Sequence, residues 1–218
     1  MERSEIAIVI PAHNEASTIE SVIKNVKEYG SIVLVNDGST DSTLEIAKKY
    51  NIKIINNEKN LGYDKSINVG FNYSKNRFKY LITFDADGQH SPEDLKKVIS
   101  KLDQKFDIVY GSRDKVNRIS EKFFLFFSKI LFNILDPLTG LKGINLNKFK
   151  DKSEFSKLNT LGSEIIFFSK KRKYKIIDIS INISPRKDIS RFGGLIKSNL
   201  LVLKAMLIVF MLYISNRL

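Results

Sequence analysis

The 218-residue sequence has no cysteine, no tryptophan and only two histidines, His13 and His90. Without cysteine there is no disulfide, no thiolate zinc site and no cysteine nucleophile. Two histidines do not furnish a polyhistidine metal centre. The first apolar run, residues 6–10, is only five residues long and stops at Pro11. A secretory leader needs roughly 7–15 apolar residues and a small-residue cleavage site. The run therefore reads as a buried strand, and the domain it opens is expected in the cytoplasm. Acidic charge is also scarce. Against 36 Lys and Arg stand 24 Asp and Glu, a balance of +12. That excess predicts a polyanionic partner: nucleic acid, an anionic membrane surface or a phosphorylated substrate.

At 43% hydrophobic and 28% charged residues, the chain reads as globular and long enough for a full core. Short β-branched runs at 6–10, 32–35, 52–55, 80–84 and 108–110 alternate with stretches of helical spacing at 16–28, 42–49, 66–74 and 92–102. Asp41 and Ser91 are candidate N-caps, the latter with Pro92 at the first helical position. This alternation predicts an α/β domain with a mainly parallel sheet. Such sheets bind ligands beyond the carboxyl ends of their strands, where the polar clusters of this chain gather: 13–15, 36–38, 60–62, 85–87 and 111–113. After Arg113 the character changes. Residues 123–135 form a dense aromatic helix candidate, followed by a glycine-bearing loop over 136–143. A helix near 164–169, a strand near 175–183, a basic loop over 185–194 and an apolar helix Leu195–Ile214 complete the chain.

The strongest local chemical signal is Asp85-Ala86-Asp87-Gly88-Gln89-His90 at a strand end. Two carboxylates separated by one residue there can place hard oxygens around one Mg²⁺ or Mn²⁺, and Gln89 can add a carbonyl oxygen. Taken alone, Asp87-Gly88 is equally a turn. Asp37, in Asn36-Asp37-Gly38-Ser39-Thr40-Asp41, can accept from a ribose hydroxyl or a base N–H. Glu15 follows the first strand and is equally a first-turn acid favoured by the helix dipole. Three such loops at the ends of three strands of one sheet make a shared site the better reading.

PAHNE (11–15), VNDGSTD (35–41), NLG (60–62), DADGQH (85–90), GSR (111–113) and DPLTGLKG (136–143) together resemble family 2 glycosyltransferases. Within these the chain is most similar to the dolichol-phosphate mannose synthase-like branch, and the resemblance runs in order over roughly residues 5–194. It implies a GT-A fold: a Rossmann-like nucleotide-diphospho-sugar transferase domain over 1–194, with residues 1–115 binding the donor and 116–194 serving the acceptor, and an apolar helix over 195–218. It implies an inverting, metal-dependent transfer of a hexose from a GDP-mannose or UDP-glucose type donor to a polyprenyl or dolichyl phosphate. Pro11, Ala12, Glu15 and Asp37 would hold the nucleoside. Asp85, Asp87 and Gln89 would hold Mg²⁺ or Mn²⁺ on the diphosphate, and Arg113 would bind a phosphate. Arg186, Ser190 and Arg191 match a late mobile loop, and Ser128 matches an acceptor position. Asp136 matches an acid proposed as general base, a role needed for a sugar hydroxyl acceptor but hardly for a phosphate that is already dianionic. The chain departs from the pattern at Phe124, where an arginine is expected four residues before Ser128; Arg118 and Lys122 are the neighbouring substitutes.

Residues 123–135 span roughly 20 Å as a helix, too short for a bilayer core of about 30 Å, and read either as core or as an interfacial helix. Leu195–Ile214 is long enough, but Lys197 and Lys204 interrupt it, so an interfacial or partly inserted helix is favoured over a span. The expected location is the cytoplasmic face of the cell membrane. A nucleic-acid partner is not expected, because no recognised nucleic-acid-binding pattern is present and the acidic pair at the cleft would repel phosphates. A nucleotidyltransferase would carry a glycine-rich phosphate loop after the first strand, and PAHNEAST has no glycine. The remaining alternative is a family 2 enzyme acting on a sugar hydroxyl in polysaccharide or glycan synthesis.

Overall fold

A computed structural model describes residues 1–116, 118–184 and 195–215. Seven strands, β1 (Ile6–Ala12), β2 (Ser31–Asp37), β3 (Lys53–Asn57), β4 (Tyr80–Thr83), β5 (Ile108–Arg113), β6 (Lys142–Asn145) and β7 (Ile176–Ile181), form one sheet in the order β3-β2-β1-β4-β6-β5-β7. All neighbours are parallel except β6, which runs antiparallel between β4 and β5. The chain winds outward from β1 to β3, then returns to place β4 on the other side of β1. The β1/β4 boundary is thus the switch point, where loops diverge and leave a crevice.

Helices cover both faces. On one lie α1 (Ile19–Val26), α2 (Thr43–Ala47) and α4 (Pro92–Asp103); on the other lie α3 (Tyr63–Ser74), α5 (Ile119–Phe132), α6 (Glu164–Lys171) and α7 (Leu195–Ile214). In α1 the residues Ile19, Val22, Ile23 and Val26 make one stripe, and all are buried against the sheet. Each such side chain contributes about 1.5–3 kcal/mol on leaving water. Ser91 caps α4 as expected, its Oγ accepting from Asp94 N at 3.2 Å. At α2 the capping residue is Ser42, while the Asp41 side chain reaches past it to accept from Thr43 N at 3.0 Å. Helix α5 ends where Asn133 turns left-handed (φ 52°), a conformation asparagine tolerates better than most residues.

The structure departs from expectation chiefly at β6, which the sequence reading placed in a loop. Its four residues, Lys-Gly-Ile-Asn, carry no strand pattern; the strand exists because β4 and β5 supply ladders on both sides. The first helix also starts later than expected, at Ile19, because Glu15 to Thr18 form a turn that serves the site. Helix α7 is packed rather than appended: Val202, Ala205 and Val209 are buried in the same core as Phe124 and Phe167.

Candidate active site

Two loops beyond β1 and β2 are laced together. Pro11 lies past the last β4 partner, Val9, where a missing N–H costs that ladder nothing. His13 Nδ1 donates to the Asp37 carbonyl at 2.8 Å. Asn14, at φ 53°, donates its N–H to Ser39 Oγ (3.0 Å) and accepts from Thr40 N on Oδ1 (2.8 Å). Glu15 N donates to Thr43 Oγ1 at 2.7 Å, and Ala16 N to Asp41 Oδ2 at 3.1 Å. Burial penalises the charged Asp41 carboxylate, but the bonds from Thr43 and Ala16 outweigh this and hold its pKa below the ordinary value. Gly38 sits at φ 62° with the Lys59–Asn60 backbone pressed against it; an added Cβ would come within 2.5 Å.

Asp37 is buried, and its carboxylate organises the 60–62 loop. Oδ1 accepts from Asn57 Nδ2 and Leu61 N, both at 2.9 Å, and Oδ2 from Gly62 N at 2.9 Å. A carboxylate offers about four acceptor positions, so three are committed to shaping the protein. This loop-building role was not visible in the sequence, because its partners lie 20–25 residues away.

The Asp85–His90 turn closes the crevice from the β4 side. Thr18 Oγ1 lies 2.7 Å from the Ala86 carbonyl and 3.0 Å from Glu15 Oε2, tying the turn to the β1 loop. Asp87 Oδ1 accepts from Gln89 N (3.1 Å) while Gly88 takes φ 71°, so the turn reading of Asp87-Gly88 holds alongside any ligand role. Gln89 pairs with Ser184 twice: its Nε2 donates to Ser184 O at 3.0 Å, and its own carbonyl accepts from Ser184 N at 3.1 Å. The amide nitrogen is thereby fixed and the amide oxygen is left for another partner. Ser184 directly precedes 185–194, so Arg186, Ser190 and Arg191 lie outside the described residues.

Asp85 is enclosed by three groups. His90 Nε2 stands 3.4 Å from its Oδ2, the Tyr63 hydroxyl donates to it, and Gly140 lies so close that an added Cβ would fall 1.8 Å from Oδ2. Burial first, then the negative charge of Asp85, Asp64 and Asp87, raises the Tyr63 hydroxyl well above the ordinary tyrosine value, so it stays a donor. Among the described residues no group of three or more His, Cys, Asp or Glu side chains is gathered to hold a metal ion. Asp85 and Asp87 nonetheless present hard oxygens that suit Mg²⁺ or Mn²⁺, ions that retain waters and complete their shells with substrate phosphates.

A second charged cluster lies past β5. Arg113 forks onto Asp136, with Nε to Oδ2 at 2.6 Å and Nη2 to Oδ1 at 3.1 Å, and its own N–H adds a third bond to Oδ2. Its Nη1 lies 3.5 Å from Glu121 Oε2, and Arg118 holds the other oxygen of the same glutamate. Burial would lower the Arg113 pKa, but Asp136 and then Glu121 outweigh it and raise it. Asp136 is fully buried in this pairing, with both of its oxygens accepting from Arg113. Ser128 is fully buried on the inner face of α5, and among the described residues its Oγ has no hydrogen-bond partner. Phe124, in the place of the expected arginine, stacks on Phe167 at 6.2 Å within the core. Arg118, one of the substitutes considered for it, does share Glu121 with Arg113.

Lys142 was not singled out from the sequence. It opens β6 between β4, which ends two residues before Asp85, and β5, which ends in Arg113; it is almost wholly buried and donates through Nζ to the Thr139 carbonyl. Burial pushes its ammonium down to about 8, against the opposing pull of Asp85, Asp136 and Asp64. Thr83 Oγ1 donates to the Gly140 carbonyl at 2.6 Å, so the 139–141 turn that abuts Asp85 is fixed from both sides. A buried lysine at the mouth of a strand gives a signal only once β6 is recognised as a strand.

The sequence pattern of glycosyl transferase family 2 matches residues 7–169, spanning both charged clusters. The chain belongs to this family. A protein of Methanocaldococcus jannaschii without an assigned activity is 33% identical over 83% of this chain and 82% of its own length. A UDP-N-acetylglucosamine–dolichyl-phosphate N-acetylglucosaminyltransferase of Methanococcus voltae is 30% identical over 81% of this chain and 84% of its own. Among solved structures, glucosyl-3-phosphoglycerate synthase of Mycobacterium tuberculosis, crystallised with Mn²⁺, UDP and glucosyl-3-phosphoglycerate, superposes with a TM-score of 0.72. That match covers 94% of this glycosyltransferase and 80% of the synthase at 15% identity, a likeness of fold.

Proposed function

We propose that this glycosyltransferase moves a hexose from a nucleoside-diphosphate sugar to a polyprenyl phosphate at the cytoplasmic face of a membrane. The observation that carries the reading is the adjacency of two unlike clusters, with β6 alone between their strands: the carboxylate pair past β4 and the paired arginines past β5. The first suits a donor diphosphate, the second an acceptor phosphate. Pro11, Ala12 and Glu15 line the nucleoside end, and Asp37 acts there by shaping the 60–62 loop. A Mg²⁺ or Mn²⁺ ion held by Asp85 and Asp87, with the Gln89 amide oxygen, would supply charge neutralisation to the departing nucleoside diphosphate. Arg113, held in orientation by Asp136 and Glu121, presents its guanidinium edge to an incoming phosphate. An acceptor phosphate oxygen bonds to the anomeric carbon as the bond from that carbon to the diphosphate oxygen breaks, and the electron pair leaves with the diphosphate. The family resemblance implies inversion at that carbon.

The engagement of Asp136 favours a phosphate over a hydroxyl acceptor. A hydroxyl must lose a proton to a base as it attacks, whereas a phosphate monoester is largely dianionic at neutral pH. The similarity to a dolichyl-phosphate enzyme points the same way. The family resemblance would give Arg186, Ser190 and Arg191, which lie outside the described residues, a part in the reaction. The hexose and base stay open between GDP-mannose, UDP-glucose and, given the Methanococcus relative, UDP-N-acetylglucosamine. The test is nucleoside diphosphate release with Mg²⁺ or Mn²⁺. Asp87→Ala should lower metal-dependent release by at least a hundredfold while circular dichroism stays that of the parent, and full activity in that variant would remove the assignment.

A further inference from the structure

The first turn of α3 joins the Asp85–His90 turn to a segment far along the chain. Its first two residues, Tyr63 and Asp64, take different partners. The Tyr63 hydroxyl donates to the Asp85 carboxylate. The buried Asp64 carboxylate accepts from Leu161 N at 3.1 Å and from Gly162 N at 2.8 Å. One turn later Asn68 pairs twice with Ser156. Its Nδ2 donates to Ser156 O at 2.6 Å and its Oδ1 accepts from Ser156 N at 3.0 Å. The start of α3 is itself fixed, because Asp37 takes the N–H groups of Leu61 and Gly62.

The turn that Asp64 holds is one that local sequence disfavours. Asn159, Leu161 and Gly162 stand at φ 52°, 55° and 69°. Glycine and asparagine tolerate that region, whereas leucine keeps it only where its surroundings fix it. Asp64 does so by taking the N–H groups of Leu161 and its neighbour. Held there, the turn lies against two residues of the site. A Cβ added at Gly162 would come 3.4 Å from Tyr63 Cε1 and 3.4 Å from Lys142 Nζ. The Tyr63 ring is thus backed by the 161–162 turn while its hydroxyl engages Asp85. A carboxylate that ligates an ion is commonly oriented by such a hydrogen bond, and loss of the bond weakens ion binding tenfold or more.

We propose that Tyr63 is a positioning residue: its hydroxyl holds the Asp85 carboxylate in the orientation that faces the divalent ion of the donor diphosphate, and the Asp64-braced turn at 161–162 keeps Tyr63 in place. Ion affinity beside β4 is then set partly by residues far beyond the carboxylate pair in sequence. The inference rests on the reading of Asp85 as an ion-holding group, so Asp85→Asn is included to test that reading separately. The affinity of the full-length protein for GDP and for UDP is measured by calorimetry, once with Mn²⁺ and once with EDTA. The ratio of the two affinities reads how well the site holds the ion, and a general loss of folding or of the nucleoside pocket would lower both alike. Tyr63→Phe should cut the ratio roughly tenfold, with the affinity in EDTA and the unfolding midpoint those of the parent. Asp64→Asn sets an amide N–H against one of the two backbone N–H groups and should cut the ratio severalfold. In the Tyr63→Phe background it should cut it no further, because its effect passes through Tyr63. A parental ratio in Tyr63→Phe would overturn the proposal, and additive losses in the double variant would overturn the route through Asp64. A parental ratio in Asp85→Asn, or no Mn²⁺ enhancement in the parent, would overturn the ion-holding reading itself.

Discussion

At the scale of single residues, several acids at strand ends and helix starts hold the protein's own loops and side chains in place. Asp37 shapes the 60–62 loop, and Asp64 does the same for 161–162, accepting from Leu161 N at 3.1 Å and Gly162 N at 2.8 Å. Asp136 orients Arg113. Their positions at strand ends and helix starts were legible, because strand runs and helix caps are local patterns. Their partners were not, since those bonds join residues 20–98 positions apart. Gly140 is the sharpest residue-scale test of the Asp85 environment. Gly140→Ala puts a methyl where the Asp85 carboxylate now lies, and the fixed 139–141 turn cannot withdraw. Asp85 must swing aside, so metal-supported turnover should fall at least tenfold, about 1.4 kcal/mol of barrier, with little change in unfolding midpoint; unchanged turnover would show that the reaction does not depend on the position of Asp85.

Tyr110, in the middle of β5, carries a pH dependence. Burial pushes its hydroxyl up to about 12, so the folded chain keeps the proton while the unfolded chain loses it near 10. Its contribution is therefore whole below pH 10 and is lost as pH rises through about 12. Tyr110→Phe removes this loss. Between pH 10 and 12 the parent should lose on the order of 2 kcal/mol more stability than the variant, read from urea midpoints across that range; parallel pH profiles would contradict the buried hydroxyl. At neutral pH the variant should be about 1 kcal/mol less stable, because Leu135 N loses its acceptor at 3.1 Å.

At the scale of elements, the α/β alternation of the first half was readable because parallel strands are short β-branched runs and amphipathic helices repeat every three or four residues. Strand β6 was not readable. A lysine and a glycine fill half of its four positions, and its neighbours alone make it a strand. Helix α3 shows how closely the layers meet. Gly70 faces Val9 of β1 so tightly that an added Cβ would fall 2.2 Å from Val9 Cγ1. Alanine favours a helix interior over glycine by up to about 1 kcal/mol, but Val9 is branched, fully buried and cannot swing away. Gly70→Ala should therefore destabilise by about 1–3 kcal/mol, a fall of several degrees in Tm for a chain of this size. A more stable variant would mean that α3 lifts from the sheet at little cost.

At the scale of the whole molecule, charge and apolar surface are sorted in space. The carboxylates past β4 and the paired arginines past β5 share one edge of the sheet, while the cationic apolar face of α5 and α7 lies on the layer packed against β5 and β6. The excess of +12 in the sequence announced a polyanionic partner without saying which. In the structure the exposed lysines of α5 and α7, Lys122, Lys129, Lys197 and Lys204, carry part of that excess. A helix that sequence alone left open between interfacial and inserted is held to the domain near both ends, by Ser120 on Asn199 and by Lys171 on the Tyr213 carbonyl, which no local pattern of α7 encodes. The measurement that tests the central claim most directly follows labelled sugar from GDP-mannose, UDP-glucose or UDP-N-acetylglucosamine, with Mg²⁺ or Mn²⁺ and a short polyprenyl phosphate, into an organic phase. The account predicts metal-dependent label in the lipid fraction from one of these donors. Nucleoside diphosphate release that is indifferent to polyprenyl phosphate, with the label passing instead to a sugar hydroxyl, would contradict it.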